Sequence, residues 1–204
     1  MSSIEFTLLG DSGKASKCAS YSGIAGRELM FRTAFVYGAL AGSATIITMI
    51  LGMEFGGEGA GSQTVGFLIM FIALSLIFFG VKRYRDVEQG GVITFQKALG
   101  LGVMMAVFAG LAYIIIWEIY LNATDFAFID KYIGSILDAK KAEGVSGEEL
   151  AALIEKQEGF RASYMNPFMR IPVTFTEIFP IGFLVSLFSA AILRKPEVLP
   201  PINR

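Results

Sequence analysis

Residues 98–121 read ALGLGVMMAVFAGLAYIIIWEIYL, with Glu118 as their only charged side chain. A bilayer core of about 30 Å needs roughly 20 mainly apolar residues when crossed as a helix. A strand or coil there would leave its backbone amides unpaired in hydrocarbon, so the stretch must be helical. Three further runs satisfy the same test: Thr33 to Met53, Thr64 to Val81, and Ile171 to Leu193, the last carrying Glu177 and Pro180. The fold expected is an all-α, polytopic membrane protein with four transmembrane helices.

Composition agrees. The 204 residues are 54% hydrophobic and 17% charged, against about a quarter charged in soluble domains. The formal net charge of −1 argues against nucleic acid as a partner, because phosphate recognition needs excess Lys and Arg. Histidine is absent, which removes the commonest general base and the commonest transition-metal ligand. The sequence also offers no cluster of metal-ligand type and no nucleophile–base pair. No enzyme activity, cofactor or bound metal is therefore expected. Cys18 has no second cysteine to pair with, so redox compartment cannot be read from it.

Orientation follows from the basic residues. Lys14, Lys17, Arg27 and Arg32 precede the first span. Lys82, Arg83, Arg85 and Lys97 lie between the second and third, and Arg194, Lys195 and Arg204 follow the fourth. The 54–63 connection has no Lys or Arg. The positive-inside rule then puts both termini and the 82–97 connection in the cytoplasm. Lys82, Arg83 and Arg85 are expected to contact lipid headgroups, each worth on the order of 1 kcal/mol.

Between the third and fourth spans, Phe128, Ile129, Ile133, Ile136 and Leu137 recur at helical spacing among charged residues. Gly144 ends that segment, Ser146 and Glu149 form a capping-box pattern, and Asn166-Pro167 closes a second helix. An external helical hairpin over 125–166 is expected, either as a soluble cap or spacer or as a lid that binds a partner or a ligand. Residues 1–29, rich in Ser, Gly and Lys, read as a flexible lead, with Met30 an alternative start, and 196–204 as a tail; the domain proper is 30–195. Gly10-Asp11-Ser12-Gly13-Lys14-Ala15 superficially suggests a phosphate loop, but two residues separate its glycines instead of four, and Ala15 lacks the hydroxyl that holds magnesium.

Small residues recur every fourth position: Ala34, Gly38 and Gly42; Ala98, Gly102, Ala106 and Gly110; Gly182, Ser186 and Ala190. Such ridges let helix backbones approach in lipid. They suit packing within one chain or between copies in a homo-oligomer. The candidate polar site is Glu177 with Glu118, because ionisable groups inside a bilayer are expensive and so mark function by default. Pro180 frees the carbonyl of Thr176 beside Glu177, a spot suited to a cation or a proton. Against this, Glu177 and Glu118 both point off the small-residue ridges, and the structural alternatives are interfacial placement with water or pairing with Arg170 or another basic residue of the loop.

The segments Gly80–Asp86, Gly90–Phe95, Lys140–Leu150 and Thr174–Gly182 resemble the bacterial four-span proteins of domain-of-unknown-function family 4199, common in Bacteroidetes. The resemblance covers roughly residues 30–195. It implies a multi-pass bacterial inner-membrane protein and brings no activity, cofactor or catalytic residue. The expected function is non-enzymatic, binding an unknown protein partner or organising the envelope. The alternative is a small cation- or proton-coupled carrier or channel using the intramembrane carboxylates.

Overall fold

The computed structural model describes the backbone of residues 3–55 and 63–200, and side chains over 26–55 and 64–200. Seven helices follow one another among the described residues: α1 (Ser3–Phe55), α2 (Gln63–Leu74), α3 (Leu76–Glu88), α4 (Phe95–Ala123), α5 (Ala127–Ala142), α6 (Gly147–Met165) and α7 (Pro167–Leu193). The lead read as flexible is helical in backbone from Ser3; residues 1–29 contain no proline to interrupt it.

Four stretches are long and apolar enough to cross a membrane: Gly26–Phe55, Thr64–Glu88, Phe95–Ala123 and Pro167–Leu193. Their outer faces expose Phe35, Leu40, Phe71, Ile72, Ile115, Ile119, Leu184 and Phe188. A water-soluble monomer rarely shows so much contiguous apolar surface. This is a multi-pass membrane protein.

The ends of the spans differ from the apolar runs for local reasons. α7 starts at Pro167 and not at Ile171, because Pro sits at the first helical position and the Asn166 side chain accepts the Phe168 amide at 3.0 Å. The second span passes through a break at Ser75, whose hydroxyl donates to the Ile72 carbonyl at 2.6 Å. It then continues as helix to Glu88, since Lys82 and Asp86 stand one turn apart and pair at 2.5 Å. The basic residues therefore lie on a helix and not on a loop.

The small-residue ridges are contacts within the chain. A Cβ on Gly42 would stand 2.0 Å from the Ala109 carbonyl oxygen, and one on Gly38 would stand 2.4 Å from that of Met105. On the other side the contacts are to small side chains: a Cβ on Gly102 would stand 2.8 Å from Ser186 Cβ, and one on Gly182 2.9 Å from Ala106 Cβ. α4 thus lies backbone to backbone against α1 and, a little farther off, against the small side chains of α7. The core hydroxyls Thr45, Ser186 and Ser189 each donate to a carbonyl one turn back. No buried side-chain N or O among the described residues is left without a partner.

At the far end of α4, α5 buries Ile129 and Ile133. Gly144, with φ +91°, ends it. Ser146 occupies the N-cap position of α6 but makes no side-chain cap bond; Gly147 follows it with φ +63°. α6 packs against α5 through the Asp130–Arg161 ion pair at 2.8 Å and the Tyr132–Phe160 ring contact.

Candidate functional site

Two polar clusters interrupt the apolar body, one at each end. The first joins α4, α6 and α7. Arg170, one turn into α7, donates to Glu118 from Nε at 2.7 Å and from Nη2 at 2.5 Å. Its Nη1 donates to the Tyr164 carbonyl oxygen at 2.7 Å, and the guanidinium lies over the Phe126 and Tyr164 rings. Arg170 is 3% exposed and Glu118 23%. A planar, five-donor cation fits this carboxylate in a way that lysine could not. The structural alternative for Glu118 is therefore the arrangement found: its charge is matched by Arg170.

Around this pair runs a closed circuit of rings. Trp117 meets Phe128 edge-on at 5.0 Å, Phe128 stacks on Tyr132, and Tyr132 leads to Phe160 and Phe160 to Tyr164. The Trp117 Nε1–H closes the loop by donating to the Tyr164 hydroxyl at 2.9 Å. Burial pushes the Tyr164 phenol up from its ordinary value. Glu54 accepts from the Tyr120 hydroxyl at 2.5 Å and lies 3.9 Å from Lys131 Nζ. Together these contacts fasten α5 and α6 to α1, α4 and α7.

Glu177 lies within electrostatic reach of Tyr164 but is not bonded to that cluster. It points outward from α7, exposed with Pro172 and Thr176, and makes no hydrogen bond or ion pair with the described residues. The notch around it is lined by Pro172, Val173, Thr176 and Glu177 itself. The Thr176 hydroxyl donates to the Pro172 carbonyl at 2.8 Å. Both Pro172 and Pro180 lie inside α7, so two carbonyls, those of Phe168 and Thr176, lose their usual amide donors. Sequence reading took Glu177 and Glu118 together; the structure leaves Glu177 unpaired and gives Glu118 to Arg170.

The second cluster lies where α3 ends and α7 ends. Arg85 was expected at lipid headgroups, but its side chain is 0% exposed. It donates from Nε to Asp86 at 2.7 Å, from Nη1 to the carbonyls of Leu193 (3.4 Å) and Val198 (3.1 Å), and from Nη2 to that of Leu199 at 2.5 Å. Lys82 shares Asp86. Arg83 alone of the three is exposed. Replacing Arg85 with Ala is expected to free residues 194–200: hydrogen exchange there rises to that of an open peptide, while α4 amides keep their protection.

Sequence reading missed the Arg85 clamp and the ring circuit. The circuit had a signal, aromatic residues at four-residue spacing (Phe128 with Tyr132, Phe160 with Tyr164) on two consecutive segments. The clamp had none, because its long-range acceptors, on Leu193, Val198 and Leu199, are backbone carbonyls.

No curated protein and no solved structure matches the chain. Residues 36–195 match the family described as "Protein of unknown function (DUF4199)", a span that includes Arg85, Glu118, Arg170, Glu177 and all four segments on which the resemblance was read. By that match, over more than half its length, the chain belongs to the DUF4199 family.

Proposed function

We propose that this protein is a non-enzymatic interaction protein of the bacterial inner membrane, with both termini cytoplasmic and the α5–α6 unit displayed outside to a protein partner. The observation that carries this reading is the state of α6. It buries none of its residues, although it carries Leu150, Leu153, Ile154 and Phe160. Ala151, Ile154, Ala162 and Met165 share one exposed face, with Glu158 in its middle and Glu155 at its edge, a surface suited to a partner segment that offers both apolar and basic side chains. The ring circuit and the Glu118–Arg170 pair hold this unit rigidly on the bundle. The positive-inside distribution supports its outward orientation.

In a Cys18→Ser background, Glu155→Cys is expected to react with a membrane-impermeant maleimide in intact cells, while Gln89→Cys reacts only after lysis. A photo-crosslinker at position 154 is expected to give one discrete adduct, absent when the crosslinker stands at Ile119 on the lipid face. Labelling of Gln89→Cys from outside would reverse the orientation. A crosslinker at 154 that captures nothing would remove the partner.

One observation favours a second reading, a cation- or proton-coupled carrier: Glu177 is an unpaired carboxylate on an apolar helix, where such groups serve ion pathways. Glu177→Gln is then expected to abolish flux in proteoliposomes with yield unchanged. Absence of wild-type flux for protons and common cations ends this reading.

A further inference from the structure

Beside the α1–α4 seam, an open groove of about 490 Å³ runs along one face of α4. Phe31 forms its α1 wall; Leu99, Gly100, Val103 and Val107 form its floor, and Phe108 closes its inner end, with the Phe31 and Phe108 rings 5.2 Å apart and perpendicular. Nothing stands within 4 Å of a Cβ built on Gly100. From Gln96 at the mouth to Phe108 is twelve helical residues, about 18 Å at 1.5 Å per residue. One leaflet of a roughly 30 Å hydrocarbon core is about 15 Å deep. The groove therefore has the length of a single leaflet, opens on the lipid face, and offers an almost wholly apolar lining.

Its mouth is basic on both walls. Arg27 lies one turn before Phe31 on the same face of α1, and Lys97 lies one turn before Gly100 on α4. Both are exposed, and neither pairs with a described carboxylate; Lys97 donates to the Gln89 side-chain oxygen at 2.7 Å. Glu28 offsets one charge, and Arg32 leaves the α1 turn net positive. The N-terminus of α4 adds the positive end of its dipole.

We propose that this groove binds one acyl chain of an anionic phospholipid from the leaflet at the basic end, with the headgroup phosphate held by Arg27 and Lys97. The chain fills the space that Gly100 leaves open, and the two cations select the headgroup. Interactions with headgroups at a surface are individually weak; the fixed groove makes the site stoichiometric.

The full-length protein in detergent, titrated with phosphatidylglycerol or phosphatidylcholine of identical chains and read by mass spectrometry of the intact complex, tests this. The first phosphatidylglycerol is expected to bind about tenfold more tightly than later ones and than the first phosphatidylcholine, a tenfold step being about 1.4 kcal/mol. Gly100→Leu, whose side chain occupies the groove, removes that step. Arg27→Gln with Lys97→Gln keeps one bound lipid but loses the headgroup preference. A wild-type series without a distinct first step overturns the proposal, and decides it alone should Gly100→Leu fail to fold. Retention of the step in Gly100→Leu overturns it too, as does a headgroup preference that survives the double substitution.

Discussion

Gly42→Ala is expected to lower the stability of the folded protein in mixed micelles by roughly 3 kcal/mol, at the upper end of ordinary overpacking. The added methyl group meets the Ala109 carbonyl oxygen at 2.0 Å, and that oxygen belongs to the backbone of a packed helix. It cannot swing aside as a side chain could. The helices must part, and the Ala34, Ala41 and Ala109 contacts along the same seam loosen with them. Gly100→Ala provides the control. It adds the same methyl group to the same fold where nothing stands within 4 Å, so it is expected to be neutral or to stabilise by about 0.5 kcal/mol through reduced backbone freedom in the unfolded chain. Detergent-titrated unfolding measures both. Equal midpoints for Gly42→Ala and the wild type would mean that α1 and α4 do not touch as described.

Arg170→Ala is expected to have a comparable effect, about 3–5 kcal/mol, the usual result of removing one partner from a buried ion pair. Three interactions go at once: the two-pronged bond to Glu118, the bond to the Tyr164 carbonyl, and the stacking on Phe126 and Tyr164. Most of the loss comes from the Glu118 charge left without a counter-charge. Removing both charges, as Glu118→Met with Arg170→Met, is therefore expected to recover much of it. That sign pattern, one change severe and two changes mild, separates a matched pair from simple packing. A double substitution as damaging as Arg170→Ala alone would show that the stacking and the Tyr164 bond carry the stability. In both variants α5 and α6 are expected to loosen first, seen as faster hydrogen exchange over 127–165, because this pair is one of their anchors.

The spans were legible because hydrocarbon leaves the chain little choice: an uncharged run of sufficient length must be helical. The ridges were legible too, since small residues repeated every fourth position mark where helices approach closely, as they do at Gly42 and Gly102. What escaped depends on rotation and on distance along the chain. Glu118 and Arg170 are 52 residues apart, and which carboxylate meets the arginine depends on a few tens of degrees of helix rotation, so sequence could name the pairing only as one alternative. Arg85 looked like its neighbours Lys82 and Arg83, because periodicity cannot say that one of three adjacent cations turns inward. The 3.6-residue repeat continues past the apolar run to Glu88, but composition marks a boundary there and masks the continuation. The 54–63 connection, read from its lack of basic residues, lies largely outside the described residues.

The Arg85 clamp has a consequence for synthesis. Its partners on α7 and beyond leave the ribosome more than a hundred residues after the arginine itself. Until they arrive, the guanidinium has only the neighbouring Asp86 carboxylate to meet its five donors. Its full complement of partners, and with it the burial of the charge at the end of α3, therefore requires residues as late as Leu199.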